Sequence, residues 1–253
     1  MLTHRVIACL DVKDGRVVKG TRFVNLRDSG DPVVLAEGYE EQGADEIVFL
    51  DIAATNEGRD TLLDLVRRTA ERLFIPLTVG GGMRNLDDIA NALRAGADKV
   101  AINSAAVRRP QLLTQAASRF GSQCVVASID ALNRGDFWEV HVNGGRQPTG
   151  LDAIDWARRC VELGAGEILL TSIDRDGGRS GYDIELLSRV SRAVTVPIVA
   201  SGGAGSARDV VDAFILGGAD AALLAGVLHD ATTDIRTIKS ALEAASITVR
   251  TAA

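Results

Sequence analysis

Short apolar runs recur along the chain, and each has the length of one β-strand. Unbroken apolar runs, rather than alternating ones, are typical of parallel strands that are buried on both faces. The eight runs span Val6–Leu10, Ile47–Leu50, Leu77–Val79, Val100–Ile102, Cys124–Ile129, Ile168–Leu170, Ile198–Ala200 and Ala221–Ala225. We therefore expect eight strands in one parallel sheet.

Amphipathic segments with helical spacing separate these runs. One helix is predicted to begin at Asp31-Pro32, because Asp caps helices and Pro is favoured in the first turn. The other predicted helices cover Asp60–Phe74, Asn85–Ala95, Arg109–Phe120, Asp152–Leu163, Asp183–Ala193, Ala207–Leu216 and Asp234–Ala245. Eight alternations of strand and helix indicate an α/β protein with a parallel sheet.

The chain also repeats itself. Gly43 and Gly164, each at the end of a predicted helix, are 121 residues apart, and Gly96 and Gly218 are 122 apart. Such a period predicts two matching halves of four βα units each. Two halves of this kind favour a closed (β/α)8 TIM barrel built from two homologous half-barrels over an open sheet. No G-x-G-x-x-G follows the first strand, which disfavours a dinucleotide-binding fold. Since barrels reach this length as one domain, we expect a single domain over residues 1–253.

Two βα loops break the repeat. After the fifth strand, Phe137–Val142 and the Asn143-Gly144 turn predict a small β-hairpin. After the first strand, Lys13–Gly30 reads as a long, polar, irregular loop. Long loops at the carboxyl end of barrel strands are usually functional, so both segments border the expected site.

Composition narrows the class of partner. The net charge of −6 provides no basic surface for nucleic acid, so an anionic ligand needs local donors. Cys9, Cys124 and Cys160 are far apart, without a CxxC pair or a Cys/His cluster, and we expect neither a metal site nor a disulfide framework. The start of the sequence has no signal-peptide pattern, and no run of about 18 apolar residues predicts a membrane span. We therefore expect a soluble, cytoplasmic protein.

Two aspartates are the first candidates for chemistry. In this fold the active site lies where the strands end, and Asp11 and Asp130 end strands one and five, which face each other across an eight-stranded barrel. Paired carboxylates suit general acid–base catalysis if their surroundings separate their pKa values. The alternative for each is that it caps the segment that follows.

Glycine-rich turns end strands three and seven, at matching positions of the two halves. Gly80–Gly82 ends one, and Ser201–Gly205 ends the other; Asn103-Ser104 and Ala225-Gly226 follow strands four and eight. Glycines let the backbone approach a phosphate, and free N–H groups at a helix start supply donors. The duplication predicts a ligand with a phosphate at each end. The alternative is that the glycines only form tight turns.

Other polar residues have two interpretations each. Lys19, in the loop after strand one, either neutralises a phosphate or is a solvated surface lysine. Asp174 and Asp176, after strand six, either hold ribose hydroxyls and support acid–base chemistry or shape a turn. On the opposite face, four residues of alternating charge precede strands one, two, four and six: Arg5, Glu46, Lys99 and Glu167. They are either a solvated rim or a salt-bridged ring that closes the barrel bottom and can open.

The chain resembles a known family over nearly its whole length, from Arg5 to about Asp220. It is similar to the cyclase-subunit (HisF) family of imidazole glycerol phosphate synthase, from histidine biosynthesis. The strings that carry the resemblance are IACLDVKDGRVVKG, NLRDSGDPV, FLDIAAT, IPLTVGGGMR, GADKVAINSAAV, GSQCVVASIDA, GAGEILLTSIDRDG, SGYD and VASGGAG. A sister isomerase family of the same pathway shares the repeat and the paired aspartates, but DVKDGRVVKG and SIDRDG-x-x-SGYD look like the cyclase.

The resemblance implies a role for each candidate. Asp11 and Asp130 would be the acid–base pair, and Lys19 would lie in a loop that closes on substrate. One phosphate would be bound by Gly82, Asn103 and Ser104, and the other by Asp176, Gly177, Gly203, Ala225 and Gly226. The gate for ammonia would be Arg5, Glu46, Lys99 and Glu167, while Asp98 and Gln123 would contact the partner.

The resemblance also implies the reaction. The substrate would be the bis-phosphorylated phosphoribulosyl-formimino-aminoimidazole carboxamide ribonucleotide. Ammonia from a docked glutaminase subunit, the other half of a heterodimer, would add to it. The chain would break and the ring close, as in a lyase, giving imidazole glycerol phosphate and an aminoimidazole carboxamide ribotide without metal or cofactor. The alternatives are the isomerase activity and a non-catalytic barrel that only docks a glutaminase.

The chain departs from the family pattern at four places around the expected site, one of which is Thr21-Arg22-Phe23 in the loop after Lys19. Ser104 stands where Thr is usual, which keeps the hydroxyl, and Gly178-Arg179 replaces a usual Thr-Lys pair. The string Ala225–Asp230 stands where Ala-Ser-Val-Phe-His-Phe is expected. Gly226 therefore offers a backbone N–H to a phosphate but no hydroxyl.

Overall fold

The strands and helices alternate as the sequence predicts. The computed structural model describes residues 3–21, 24–52 and 56–250, without the side chains of 19–28 and 56–60. Its strands are β1 (Arg5–Lys13), β2 (Arg16–Thr21), β3 (Val24–Gly30), β4 (Glu46–Asp51), β5 (Leu77–Gly80), β6 (Lys99–Ile102), β7 (Val125–Asn133), β8 (Trp138–Val142), β9 (Gln147–Asp152), β10 (Glu167–Ser172), β11 (Ile198–Ser201) and β12 (Ala221–Leu224). Its helices are α1 (Pro32–Glu41), α2 (Asn56–Ala70), α3 (Leu86–Arg94), α4 (Ser104–Arg108), α5 (Gln111–Phe120), α6 (Ala153–Glu162), α7 (Ile184–Ser191), α8 (Ala207–Ile215), α9 (Gly226–His229) and α10 (Ile235–Ala244).

Eight of the strands form a closed parallel barrel. Around it the order is β1, β4, β5, β6, β7, β10, β11 and β12, and β12 pairs with β1 again. The helices surround the barrel, which confirms the predicted (β/α)8 fold. Closure makes β1 and β7 opposite strands, so residues at their carboxyl ends face each other across the mouth.

The core has two layers, because successive strand residues point to opposite faces. The inner layer fills the barrel and includes Ile7, Cys9, Val48, Val126 and Leu169. The outer layer lies between strands and helices and contains most of the buried aliphatic side chains. This explains why the strands appear in the sequence as unbroken apolar runs rather than as alternating ones.

Polar side chains start the helices where the sequence predicts caps. Asp31 Oδ1 accepts from the N–H of Val33 at 2.8 Å, with Pro32 in the first turn. Asn85 and Ser206, which are 121 residues apart, begin α3 and α8 with nearly the same backbone angles: φ −154° and ψ 176° against φ −152° and ψ 168°. The two halves of the barrel therefore repeat in conformation as well as in sequence.

The repeated Gly-Ala-Asp segments fix the amino ends of strands. The carboxylates of Asp45, Asp98 and Asp220 accept from the first N–H groups of the strands beside them, at 2.8–2.9 Å. In the fourth copy Gly166 replaces the aspartate, because a Cβ there would lie 2.2 Å from the carbonyl oxygen of Ser122.

The structure differs from the sequence prediction in two segments. The stretch predicted as an irregular loop after β1 contains an antiparallel hairpin formed by β2 and β3. Strand β2 also pairs antiparallel with the end of β1. Helix α2 begins and ends four residues before the predicted bounds, and Phe74 beyond it is 94% exposed.

The hairpin predicted after the fifth strand is confirmed. Strands β8 and β9 continue β7 as an antiparallel sheet, and Asn143 and Gly144 both have positive φ, 56° and 66°. Among the helices of the described residues, none is long and apolar enough to cross a membrane.

Candidate active site

Asp11 and Asp130 lie at the carboxyl ends of opposite barrel strands. Asp11 is paired in register with Leu50 of β4, and Asp130 with Thr171 of β10. Both side chains are half-buried. The carboxylate of Asp176, in the turn after β10, acts electrostatically on both of them. The structure thus brings together the pair that the sequence predicted and adds a third carboxylate.

Burial raises the pKa of both carboxyl groups. Desolvation, followed by repulsion from Asp176, raises the pKa of Asp11 from 3.8 to about 7. Desolvation also raises the pKa of Asp130 to about 6, although a hydrogen bond from Asn103 lowers it and Asp176 raises it further. Groups that titrate near neutrality both accept and donate protons readily, as general acid–base catalysis requires.

Asn103 is aimed at Asp130. Its Nδ2 donates to Asp130 Oδ2 at 2.9 Å, and its side chain makes no capping hydrogen bond to α4. The Asn103 side chain is therefore engaged with Asp130 rather than with the start of α4. The neighbouring Ser104 hydroxyl accepts from the N–H of Asn143 at 2.9 Å, which ties the β8–β9 hairpin to the same corner of the site.

The glycines after β5 and β11 adopt backbone conformations that other residues rarely reach. Gly81 and Gly82 have φ of 87° and 68°, and Gly202 and Gly203 have φ of 85° and 107°. A Cβ at Gly81 would lie 2.2 Å from the carbonyl oxygen of Asp51, a clash that any side chain would produce. The matching turns are thus tight, and each follows a barrel strand at the same end of the barrel as the carboxylate pair.

The turn after β10 separates the two aspartates that the sequence singled out. Asp174 Oδ2 accepts from the N–H of Asn133 at 2.8 Å, so its carboxylate fastens the end of β7. The N–H of Asp176 donates to the carbonyl of Ser172 at 3.0 Å, and Gly177 follows with φ of 70°. Asp174 therefore ties the turn after β10 to the end of β7, while the carboxylate of Asp176 acts on the acid–base pair.

Two of the departures from the family pattern, Arg179 and the segment Ala225–Asp230, are in contact in the structure. Arg179 pairs with Asp230 at the end of α9, and its guanidinium lies 3.5 Å from the carbonyl oxygen of Gly226 and 3.4 Å from the hydroxyl of Thr232. A positive charge thus stands beside the segment that lacks the expected hydroxyl.

At the other end of the barrel, the four charged residues form a ring. Glu46 pairs with Arg5 at 2.9 Å and with Lys99 at 2.8 Å, and Glu167 pairs with both cations, with Lys99 at 2.8 Å. Their side chains are only 3–24% exposed. They are therefore a closed salt-bridged ring across the barrel bottom and not a solvated rim.

The remaining predicted residues are placed as follows. Asp98 and Gln123 are exposed on the same face as the ring, although one oxygen of Asp98 also accepts from Leu77. The backbone of Lys19 lies in β2, opposite Arg27 of β3, and its side chain is outside the described part of the chain.

The sequence interpretation missed two polar residues of this region. Thr78 donates to Glu46 and so belongs to the ring. His141 is buried and pairs in register with Asp130, so both side chains lie on one face of the β7–β8 sheet. The alternation along the predicted hairpin contained this signal, since a two-residue period assigns Glu139 and His141 to one face.

Asp11 makes stability depend on pH. Because its pKa is raised in the folded chain, the unfolded chain loses this proton first, and stability falls as pH rises from about 4 to about 7. Asp11→Asn, which cannot ionise, should raise the free energy of unfolding by about 2–4 kcal/mol at about pH 8 and change it little at about pH 3.5.

Urea unfolding of both chains at the two pH values measures this difference. Asp155→Asn, on the surface of α6 beside Arg158, is the control and should show no gain. An equal effect of Asp11→Asn at both pH values would contradict burial of the charge as the cause.

The fold and the site together define a class, a (β/α)8-barrel enzyme with paired carboxylates at the barrel mouth. A family model described as "Histidine biosynthesis protein" matches residues 5–234. The chain is 64% identical to "Imidazole glycerol phosphate synthase subunit HisF" of Myxococcus xanthus, over 99% of both chains. It is 58% identical to the protein of that name from Metallosphaera sedula, over 99% of this chain and 100% of that one. The chain therefore belongs to this histidine biosynthesis family, among the HisF subunits, and the resemblance to the cyclase rather than the isomerase is confirmed.

Proposed function

We propose that the chain is the cyclase subunit of imidazole glycerol phosphate synthase. It converts the bis-phosphorylated ribulosyl-formimino aminoimidazole carboxamide ribonucleotide and ammonia to imidazole glycerol phosphate, an aminoimidazole carboxamide ribotide and water, which carries away the ketone oxygen of the ribulosyl group. The observation that carries the proposal is the pair of carboxylates, Asp11 and Asp130, which end opposite strands with pKa values of about 7 and about 6.

The carboxylates supply general acid–base catalysis. Addition of ammonia, breakage of the chain and closure of the ring each take a proton from one nitrogen or return one to another. One carboxylate accepts the proton while the other donates, and their positions across the mouth let them act on opposite sides of one substrate. Such assistance contributes about 10²–10⁴-fold to a rate.

The duplicated turns are proposed to hold the two phosphates. Gly82, Asn103 and Ser104 offer backbone donors to one, and Gly177, Gly203, Ala225 and Gly226 offer them to the other. Because the carboxylate of Asp176 repels a phosphate, we assign it to substrate hydroxyls beside the second phosphate. Lys19, in the segment after β1, is proposed to close over the substrate.

The barrel bottom is proposed as the entrance for ammonia. The ring of Arg5, Glu46, Lys99 and Glu167 closes this end, and Asp98 and Gln123 on the same face are proposed to contact a glutaminase subunit in a heterodimer. Above the ring the interior is apolar, with Ile7, Val48 and Leu169 among its side chains. Such a lining favours neutral ammonia, because an ammonium ion loses far more free energy on leaving water.

Turnover without a partner tests the proposal. The purified chain is given the bis-phosphorylated substrate and an ammonium salt at alkaline pH, where free ammonia is abundant, and we expect both products. A folded chain that binds the substrate and releases no product would contradict the cyclase activity. It would then favour the isomerase, tested with that enzyme's substrate, or a docking barrel, tested by stimulation of a glutaminase.

A further inference from the structure

The two carboxylates occupy equivalent positions in the two half-barrels. Ile102 of β6 pairs with Ala127 of β7, and Leu224 of β12 pairs with Ala8 of β1. Asp130 comes three residues after Ala127, as Asp11 comes three residues after Ala8. Each aspartate thus stands in the same register to the residue that follows the adjacent strand, Asn103 in one half and Ala225 in the other.

Those two neighbours share a backbone conformation but differ in chemistry. Asn103 has φ −111° and ψ −94°, and Ala225, 122 residues later, has φ −131° and ψ −84°. Each is the N-cap of a short helix and makes no side-chain capping bond. At one position the side chain is an amide, and at the other it is a methyl group.

The amide acts on one carboxylate only. Asn103 Nδ2 lies 2.9 Å from Asp130 Oδ2, and an amide N–H favours the ionised form of the oxygen it faces. The reverse orientation would place Asn103 Oδ1 against the carboxylate, with two acceptors in contact. Within the part of the chain that the structure describes, no side chain donates a hydrogen bond to Asp11.

We propose that Asn103 is a positioning residue that breaks the symmetry of the pair: it holds Asp130 as the proton acceptor and leaves Asp11, whose half-barrel has Ala225 at the equivalent position, as the proton donor. The inference rests on the proposed acid–base function. The order of the two pKa values, about 6 for Asp130 and about 7 for Asp11, agrees with it.

The other groups around the pair do not produce this asymmetry. Asp176 faces both carboxylates and repels both. Cys9, on β1 below Asp11, is a buried thiol whose own pKa is raised by burial and by Asp11. His141, on β8 beside Asp130, donates from Nδ1 to the carbonyl of Gly145 at 2.9 Å, and its Nε2 is 3.7 Å from Glu139.

The oxygen of the Asn103 amide supports the same role. Its Oδ1 is buried and, among the described residues, has no hydrogen-bond partner. Such an acceptor is costly to leave unpaired, and an N–H or O–H group of the bound substrate would satisfy it. The amide would then connect the proton acceptor with the substrate from which the proton is taken.

An exchange of the two side chains tests the inference. We compare the wild type with Asn103→Ala, Ala225→Asn and the double exchange, and follow the carboxyl ¹³C resonances of Asp11 and Asp130 against pH. Asn103→Ala should raise the pKa of Asp130 by about one pH unit, and Ala225→Asn should lower that of Asp11 by a similar amount. The double exchange should reverse their order.

Kinetics provide a second readout that a merely structural role would not reproduce. In Asn103→Ala, ammonium-dependent turnover should fall about five-fold near pH 6 and recover to within about two-fold near pH 8, because the acceptor is then ionised again. Asn103→Gln, which retains the donor, should recover part of the loss near pH 6.

Unchanged titration of Asp130 in Asn103→Ala would overturn the inference. If Asn103→Ala does not fold, Ala225→Asn tests the inference by itself. An unchanged titration midpoint of the Asp11 carboxyl in that variant would then overturn the inference. Titrations that shift as expected in a chain without turnover would support the inference and contradict the proposed cyclase activity.

Discussion

Asp130→Asn and Asp11→Asn should each lower ammonium-dependent turnover by about 10²–10⁴-fold, because each removes a group that moves a proton in the transition state. Both carboxyls are poised near neutrality by burial, and an amide of the same size has no titratable proton. Substrate binding should change by only a few-fold, since the phosphates are proposed to be held by other segments. Steady-state turnover and calorimetric titration with the substrate separate the two effects.

Asp155→Asn is the matched control for both variants. This carboxylate is exposed on α6, paired with Arg158, and lies outside the proposed site. Its turnover should equal that of the wild type. Near-normal turnover in Asp11→Asn or Asp130→Asn would remove that residue from the mechanism.

Glu46→Ala should lower the free energy of unfolding by about 3–5 kcal/mol, because it leaves the half-buried cations of the ring with one carboxylate fewer. The Glu46 side chain is 3% exposed, bonds to Arg5 and Lys99 and accepts from Thr78. Turnover with ammonium salt should remain within a few-fold while the chain is folded, because the ring lies at the opposite end of the barrel. Urea unfolding measures the first effect and the ammonium assay the second.

Glu185→Ala is the control for burial. Glu185 pairs with Arg189 at 2.7 Å, yet both side chains are more than half exposed. Exposed pairs contribute about 0–1 kcal/mol, so this variant should be nearly as stable as the wild type. Equal losses of stability in the two variants would show that burial of the ring does not determine how much its ion pairs contribute to stability.

Stability and activity are opposed at the barrel mouth. The raised pKa of Asp11 means that its charge destabilises the folded chain above neutral pH. The same raised pKa, close to neutrality, suits proton transfer. The charges of the ring at the barrel bottom, by contrast, do not oppose folding in this way, since each of them has a partner of opposite charge.

The duplication explains why so much of the site was predictable. Gly82 and Gly203, 121 residues apart, require left-handed backbone at equivalent turns, and the spacing of such glycines is visible in any sequence. Asp11 and Asp130 stand out because each ends an apolar run. Local patterns of this kind do not depend on distant contacts.

The features that escaped prediction are set by strand pairing, over short separations at β2 and His141 and over a long one at Thr78. The turn between β2 and β3 has no tight-turn signature, but Asp14 and Gly15, with φ of 50° and 74°, turn the chain from β1 back into β2, a local signal that the prediction passed over. Thr78 donates to Glu46 because β4 and β5 are adjacent in the barrel, which the sequence does not reveal. His141 becomes a neighbour of Asp130 through antiparallel register alone.

The sequence by itself determined the eight-fold alternation, the two half-barrels, the Asp pair and the family, because these follow from periodicity, turn chemistry and specific strings. Only the tertiary structure decided that the four basal charges close into a ring and that the Asn103 amide donates to Asp130. The physical reason is that hydrogen-bond direction and desolvation depend on which atoms approach within about 3 Å, which strand closure sets and local sequence does not.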